Sequence, residues 1–282
     1  MRSGAAGADA LGLWTKGYGS WAEKDGDGNA YGIDQSSGGV MVGVDGTIGD
    51  DWRVGLFGGY GHTSVSINGL ASKSDTDQVD LGVYAGTYLG PVGLRFGAAH
   101  SWNDIDSERS VFIPTLNERL KAGYNASTSQ VFGEISYQHT VGQAVLEPFA
   151  NLAYVHFEND SFSERGGAAA LSVEDGSQNT VFTEIGLRAA TEVALQETVA
   201  TLHGSVSWRH ADGDVTPETK MAFPGGSAFE VHGAPLAEDV AVLNAGVSFN
   251  LGASAAVGLS YTGQFGSGAS QNGINGYLGV KF

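Results

Sequence analysis

The sequence predicts an all-β fold, a transmembrane up-and-down antiparallel β-barrel of about twelve strands. Three observations point there. Apolar and polar residues alternate with a period of two along most of the chain, as extended strands require. The connections between these stretches are alternately very short and long, as when hairpin turns face one side of a membrane and loops the other. No apolar run of about 18 residues occurs, so any membrane crossing must be made by strands.

Composition narrows the reading further. Glycine supplies 44 of the 282 residues and proline 6, with the glycines set inside apolar alternations, which excludes collagen-like repeats and proline-rich disorder. Hydrophobic residues make up 41%, yet the mean hydropathy is -0.08. A membrane barrel can show this because polar lumen residues dilute the lipid-facing ones one to one. The formal charge of -17, from 31 acidic against 14 basic residues, argues against a nucleic-acid partner. With no cysteine, neither disulfides nor thiolate metal sites are available. Met1 to Ala10 contains no apolar segment of the secretory kind. Residues 1–10 are therefore expected to be the remnant of a linker or pore segment, and residues 11–282 the barrel.

In chain order, Leu11 to Trp21 reads as the first strand and leads into an acidic loop. Gly38 to Ile48 sets Val40, Val42, Val44 and Ile48 against Met41, Gly43, Asp45 and Thr47, and Gly49-Asp50-Asp51 turns the chain into Trp52, Val54, Leu56 and Tyr60. Asp77 to Leu89, the turn Gly90-Pro91 and the strand from Val92 repeat the pattern. A long strand runs from about Arg119 to His139, Gly142-Gln143 turns it, and Leu146 to Phe157 returns. After a loop rich in Gly, Ser and acid come the strand around Val181 to Arg188, a turn at Leu195-Gln196-Glu197, and the strand around Leu202 to Arg209. Asp212 to Glu238 contains Pro217, Pro224 and Pro235 and is expected to be loop rather than ladder. Ala241 to Phe249, the turn Gly252-Ala253, Val257 to Tyr261 and a closing strand complete the count.

The closing strand, Ile274 to Phe282, places Ile274, Leu278, Val280 and Phe282 on one face and Asn275, Tyr277, Gly279 and Lys281 on the other. A soluble chain rarely ends on such a strand, whereas a closed barrel needs a last strand to seal against its first. Trp14, Trp21, Trp52, Tyr60, Trp102, Tyr154, Trp208 and Tyr261 fall near strand ends, as interfacial aromatic belts do. Alternation alone cannot separate a lipid-facing apolar side from the core of a soluble sandwich; the aromatic placement favours lipid.

The blocks Leu146-Glu147-Pro148-Phe149-Ala150-Asn151-Leu152-Ala153-Tyr154-Val155-His156-Phe157, Gly166 to Leu171 and Phe182-Thr183-Glu184-Ile185-Gly186-Leu187-Arg188 resemble the C-terminal translocator domain of type Va autotransporters. Gly233-Ala234-Pro235-Leu236-Ala237 and Leu259 to Gly268 are similar to the same family. The resemblance runs from about Leu11 to Phe282. It implies a twelve-stranded barrel of the bacterial outer membrane that enables secretion of an N-terminal passenger, with a helix threading the pore. Its implied partners are the passenger in cis, outer-membrane lipids and the barrel assembly machinery, with the barrel itself a monomer. The passenger is expected to be absent from this chain. No Asn-Asn pair precedes the barrel, so intrabarrel self-cleavage is not implied. The resemblance also implies that the terminal aromatic strand, Tyr277, Leu278, Val280 and Phe282, carries the assembly signal.

Chemical motifs are sparse. Asp25-Gly26-Asp27-Gly28-Asn29 has the carboxylate spacing of a calcium loop but offers Ala30 at the glycine position and Ser36 where a bidentate Glu belongs, so no metal is assigned. No hydrolase, metalloprotease or P-loop motif occurs. The chain is therefore read as a non-enzyme with no cofactor and no catalytic residue. An outer-membrane barrel enzyme of protease or lipase type and a small diffusion porin are the alternatives. The seven histidines are dispersed, and a single His in a polar lumen reads as a hydrogen-bonding residue. Parity places Arg53, Asp80, Arg95, Glu134, Glu147, Glu184, Arg188 and Arg209 on the polar, lumen-lining face. Confined charges need partners, so cross-lumen ion pairs are expected there, against the plainer reading of charges facing lumen water.

Overall fold

A single antiparallel sheet closes on itself. The structure is a computed structural model and describes residues 11–26, 30–49, 51–195, 198–252 and 254–282, with the Thr198 side chain left aside. The barrel strands are β1 (Gly12–Lys24), β2 (Ile33–Ile48), β3 (Trp52–Ile67), β4 (Ser72–Leu89), β5 (Val92–Ile113), β6 (Leu116–Tyr137), β7 (Ala144–Asn159), β8 (Gly176–Leu195), β9 (Thr198–Gly213), β10 (Asp239–Leu251), β11 (Ala255–Gly266) and β12 (Ala269–Lys281). His139–Val141 prolongs β6 in the same register against β7. The gap between them lies opposite Pro148, which has no N–H to offer the ladder. Each strand pairs with its sequence neighbours, and β12 pairs with β1 from Gly12 opposite Lys281 to Lys24 opposite Ala269, so the ring has no free edge.

Four of the five predicted short turns are set by a glycine in the left-handed region: Gly49 (φ 65), Gly90 (φ 63), Gly142 (φ 62) and Gly252 (φ 72). At Leu89-Gly90-Pro91-Val92 a positive φ is followed by the fixed negative φ of proline, the sign pattern of a type II′ hairpin. Residues 196–197 of the fifth turn lie outside the described residues.

The strands run 12 to 22 residues, beyond the predicted spans, with β5 and β6 the longest at 22 each. The excess lies at the loop end. There the outward positions of β5 and β6 carry Asp104, Asp106, Glu108, Arg119 and Lys121, so the apolar marker that reveals a strand in the sequence is gone while the ladder continues. The expectation of loop throughout Asp212 to Glu238 is also corrected. Glu218–Ala222 and Phe229–His232 pair with each other, and the first also pairs with Ser172–Val173, which pairs with Phe162–Ser163. The three prolines stand before, between and after the two strands, so none interrupts a ladder.

Contacts that reach past an intervening strand can form only on the concave side of a ring. Arg95 on β5 meets Glu147 on β7, and Trp14 on β1 meets Tyr84 on β4, which fixes the inner face. The opposite face carries Leu56, Val83 and Leu152, exposed by 53%, 56% and 57%. Apolar residues outside and polar residues inside invert the soluble sandwich and settle what alternation left open.

Candidate functional site

All eight charges selected by parity point to the inner face, but they fall into different arrangements. Arg95, Glu134, Glu147 and Arg188 come from four successive strands, β5 to β8. Arg95 pairs with Glu134 and, through Nη2, with Glu147 Oε1 at 2.8 Å. Arg188 donates from Nη1 to Glu134 Oε1 at 2.8 Å and lies 3.3 Å from Glu147 Oε1, with Nη2 on Glu134 Oε2. Each cation thus touches both anions. Gln138 Nε2 donates to Glu147 Oε2 at 3.1 Å and to Tyr88 Oη at 3.0 Å, and Arg188 stacks 3.8 Å over the Phe149 ring. The glutamates are buried and the two guanidinium groups about one third exposed. Hydrogen bonding of both carboxylates by planar guanidinium forks is what a confined charge requires.

A second group closes the wall between β1 and β4. Tyr84 Oη donates to Asp45 Oδ2 at 2.6 Å, Arg53 pairs with the other oxygen of Asp45, and Trp14 Nε1 donates to Tyr84 Oη at 2.8 Å. The Trp14 ring occupies the space over Gly43, where any side chain would collide with it. Trp14 is therefore a lumen residue and not a member of the aromatic belt. Its even number puts it with Lys16 and Tyr18 on the inner face, so strand-end position alone misassigned it.

Asp80, Glu184 and Arg209 have no ionic partner within 4.0 Å among the described residues. Asp80 accepts from Ser101 Oγ at 2.6 Å, Glu184 accepts from Ser207 Oγ at 2.5 Å, and Arg209 donates to Gln264. Sequence reading did not select Asp45, Tyr84, Tyr88 or Gln138. Parity marked the first as inward, but the uncharged three carried no signal beyond their face.

Three of the histidines depart from the lumen expectation, whereas His203 shares the inner face with Ser205 and Arg209. His62, His156 and His210 lie on the outer face, each two residues after an aromatic and each sharing one acceptor with it. Tyr60 and His62 meet Asp77 at 2.6 and 3.0 Å, Tyr154 and His156 meet Asn179 at 2.5 and 2.8 Å, and Trp208 and His210 both meet Asp239 at 3.0 Å. In the closing strand, Phe282 N donates to Leu11 O at 2.9 Å while its ring is 75% exposed. Tyr277 is opposite Lys16 and faces inward, whereas Leu278, Val280 and Phe282 face outward. Asp27 to Asn29 of the calcium-like stretch lie outside the described residues.

The autotransporter β-domain family matches residues 13–262. An extracellular serine protease of Serratia marcescens is 38% identical over 276 residues, covering 98% of this chain and 26% of that protein, and a second from the same organism is 37% identical with the same coverage. The chain thus spans about a quarter of the length of these relatives. The fold is also that of the translocator domain of the autotransporter NalP from Neisseria meningitidis, with a TM-score of 0.77 at 16% identity over 99% of this chain and 90% of that one. The β domain of the Bordetella autotransporter BrkA gives a TM-score of 0.75 at 18% identity over 97% and 100%. The chain belongs to the autotransporter β-domain family.

Proposed function

We propose that this chain is the outer-membrane translocator of a longer protein and carries an N-terminal passenger across the bacterial outer membrane. The observation that supports this most is a twelve-stranded closed ring, apolar outside and polar inside, in a chain of the autotransporter β-domain family. The barrel's part is to supply a polar, walled path through lipid, which needs no bond chemistry and no cofactor. The names of the Serratia relatives make a serine protease the passenger class to test first. The inward charges act as the lumen wall's polar lining, and the outward face of the closing strand engages the assembly machinery and lipid.

The experiment is a fusion of a folded reporter ahead of residue 11, behind a signal peptide, in a Gram-negative host. The expected result is reporter at the cell surface, cleaved by protease added to intact cells. Barrel correctly inserted in the outer membrane with the reporter held in the periplasm would refute the reading. A large, permanently open conductance in planar bilayers would favour a diffusion pore instead.

A further inference from the structure

Two loops that sequence reading left unstructured pair with each other at the loop end of the ring. Ser172 and Val173 of the β7–β8 connection pair with Ala222 and Met221 of the β9–β10 connection, and Glu174 N donates to Lys220 O at 3.0 Å. The first connection is fixed to the inner face of the raised β5–β6 hairpin. Arg109 donates from Nε to Glu164 Oε1 at 3.0 Å and from Nη2 to Glu164 Oε2 at 2.5 Å, and its Nη2 also reaches Ala169 O at 3.1 Å. Glu118 accepts from the backbone N–H groups of Ala168 at 2.8 Å and Ala169 at 2.9 Å, and Phe162 stacks on Tyr124 at 4.0 Å. The second connection is held on the far wall, where Lys24 Nζ of β1 donates to Ala234 O at 2.6 Å.

Strands β1 and β6 are five places apart in a ring of twelve, nearly opposite one another. A small sheet tied to both must cross the mouth. Among the described residues Leu120 of β6 is fully buried, and Val173 and Ala234 of the two connections are buried as well.

We infer that these two connections form a lid over the loop-side mouth, that Arg109 and Glu164 are its latch, and that the latch opens to let an extended polypeptide leave. The inference rests on the translocator reading for its purpose, but the closed lid can be tested without a passenger. Two bidentate-type contacts are strong enough to hold a lid and weak enough to release it under the pull of a folding passenger.

The chain has no cysteine, so Ser205→Cys on the inner face of β9 gives one lumen thiol. Intact cells are treated with a maleimide on a linear polymer too large for diffusion pores. The expected rate of labelling rises at least tenfold when Arg109→Ala or Glu164→Ala is added. Two loop-side substitutions are used so that a folding defect in one does not decide the matter. Equal labelling in all three proteins overturns the lid. In the reporter fusion, Lys121→Cys with Arg165→Cys staples the loop to β6, where the two residues exchange backbone hydrogen bonds at 2.9 and 2.8 Å. Export should fall several-fold when this pair is oxidised and recover on reduction; export indifferent to the staple also overturns the lid. A parent fusion that exports nothing refutes the translocator reading, and the labelling rates still decide the lid.

Discussion

Arg188 reaches Glu134 across the whole width of β7, Nη1 to Oε1 at 2.8 Å. Such a chord runs on the concave side of the curved sheet, and it makes the four-charge group a tie between β6 and β8, which share no ladder. Replacing Arg188 with Met leaves Glu134 and Glu147 sharing Arg95 alone. The expected loss is roughly 1–3 kcal/mol, below the ~3–5 of a fully buried pair because the guanidinium groups are one third exposed. Urea unfolding of the refolded barrel measures it. Arg188→Met combined with Glu134→Gln should cost less than the two single changes summed; strict additivity would show that the residues do not act together.

Charge reversal at Arg95, Glu134, Glu147 or Arg188 is expected to change bilayer conductance or reporter export while barrel assembly stays close to normal. Unchanged conductance and export in every reversal would reduce the four to solvated charges.

Gly43→Val would drive the Trp14 ring off its seat and break its hydrogen bond to Tyr84. A destabilisation of about 1–3 kcal/mol is expected from overpacking, together with a red-shifted tryptophan emission as the indole loses its enclosed position. Gly17→Val, where nothing lies within 4 Å, should do neither.

Glu108 lies six positions past Trp102 on β5, beyond the membrane-spanning part of the strand. A hydrogen bond from Lys121, with the charges of Arg119 and Lys73 beside it, holds its carboxyl below the ordinary range. A depressed folded pKa means that this contribution is present above the unfolded value of about 4.3 and is lost as pH falls through the lower folded value. Lys121→Ala should move the Glu108 titration upward in a carboxyl-resolved NMR experiment; an unmoved midpoint would contradict the assignment.

Phe282 seals the ring through its backbone and exposes its ring outward. Phe282→Asp should cost roughly 0–1 kcal/mol near an interface, too little to unfold a closed barrel. Assembly in cells is therefore expected to fall far more than the stability of barrel refolded in detergent. Equal losses in both assays would make the strand a structural seal alone.

The sequence by itself determined the barrel, its strand order and four of its short turns, and period-two parity assigned a face to the eight charges it selected. Those properties follow from local rules: a side-chain period of two, glycine at positive φ, and lipid on one side. Parity put Arg95 and Arg188 on the polar face without saying that they share two glutamates. Their sharing depends on strand register and the curvature of the sheet, which bring residues 93 positions apart in sequence onto one patch of wall. The same limit explains Trp14, whose seat is the gap above Gly43 on the next strand. It explains the loop sheet as well, because short pairings between two distant connections have no periodic signature and exist only where the ring holds their ends together. Local chemistry wrote the strands; the register and curvature of the sheet decided which side chains meet across them.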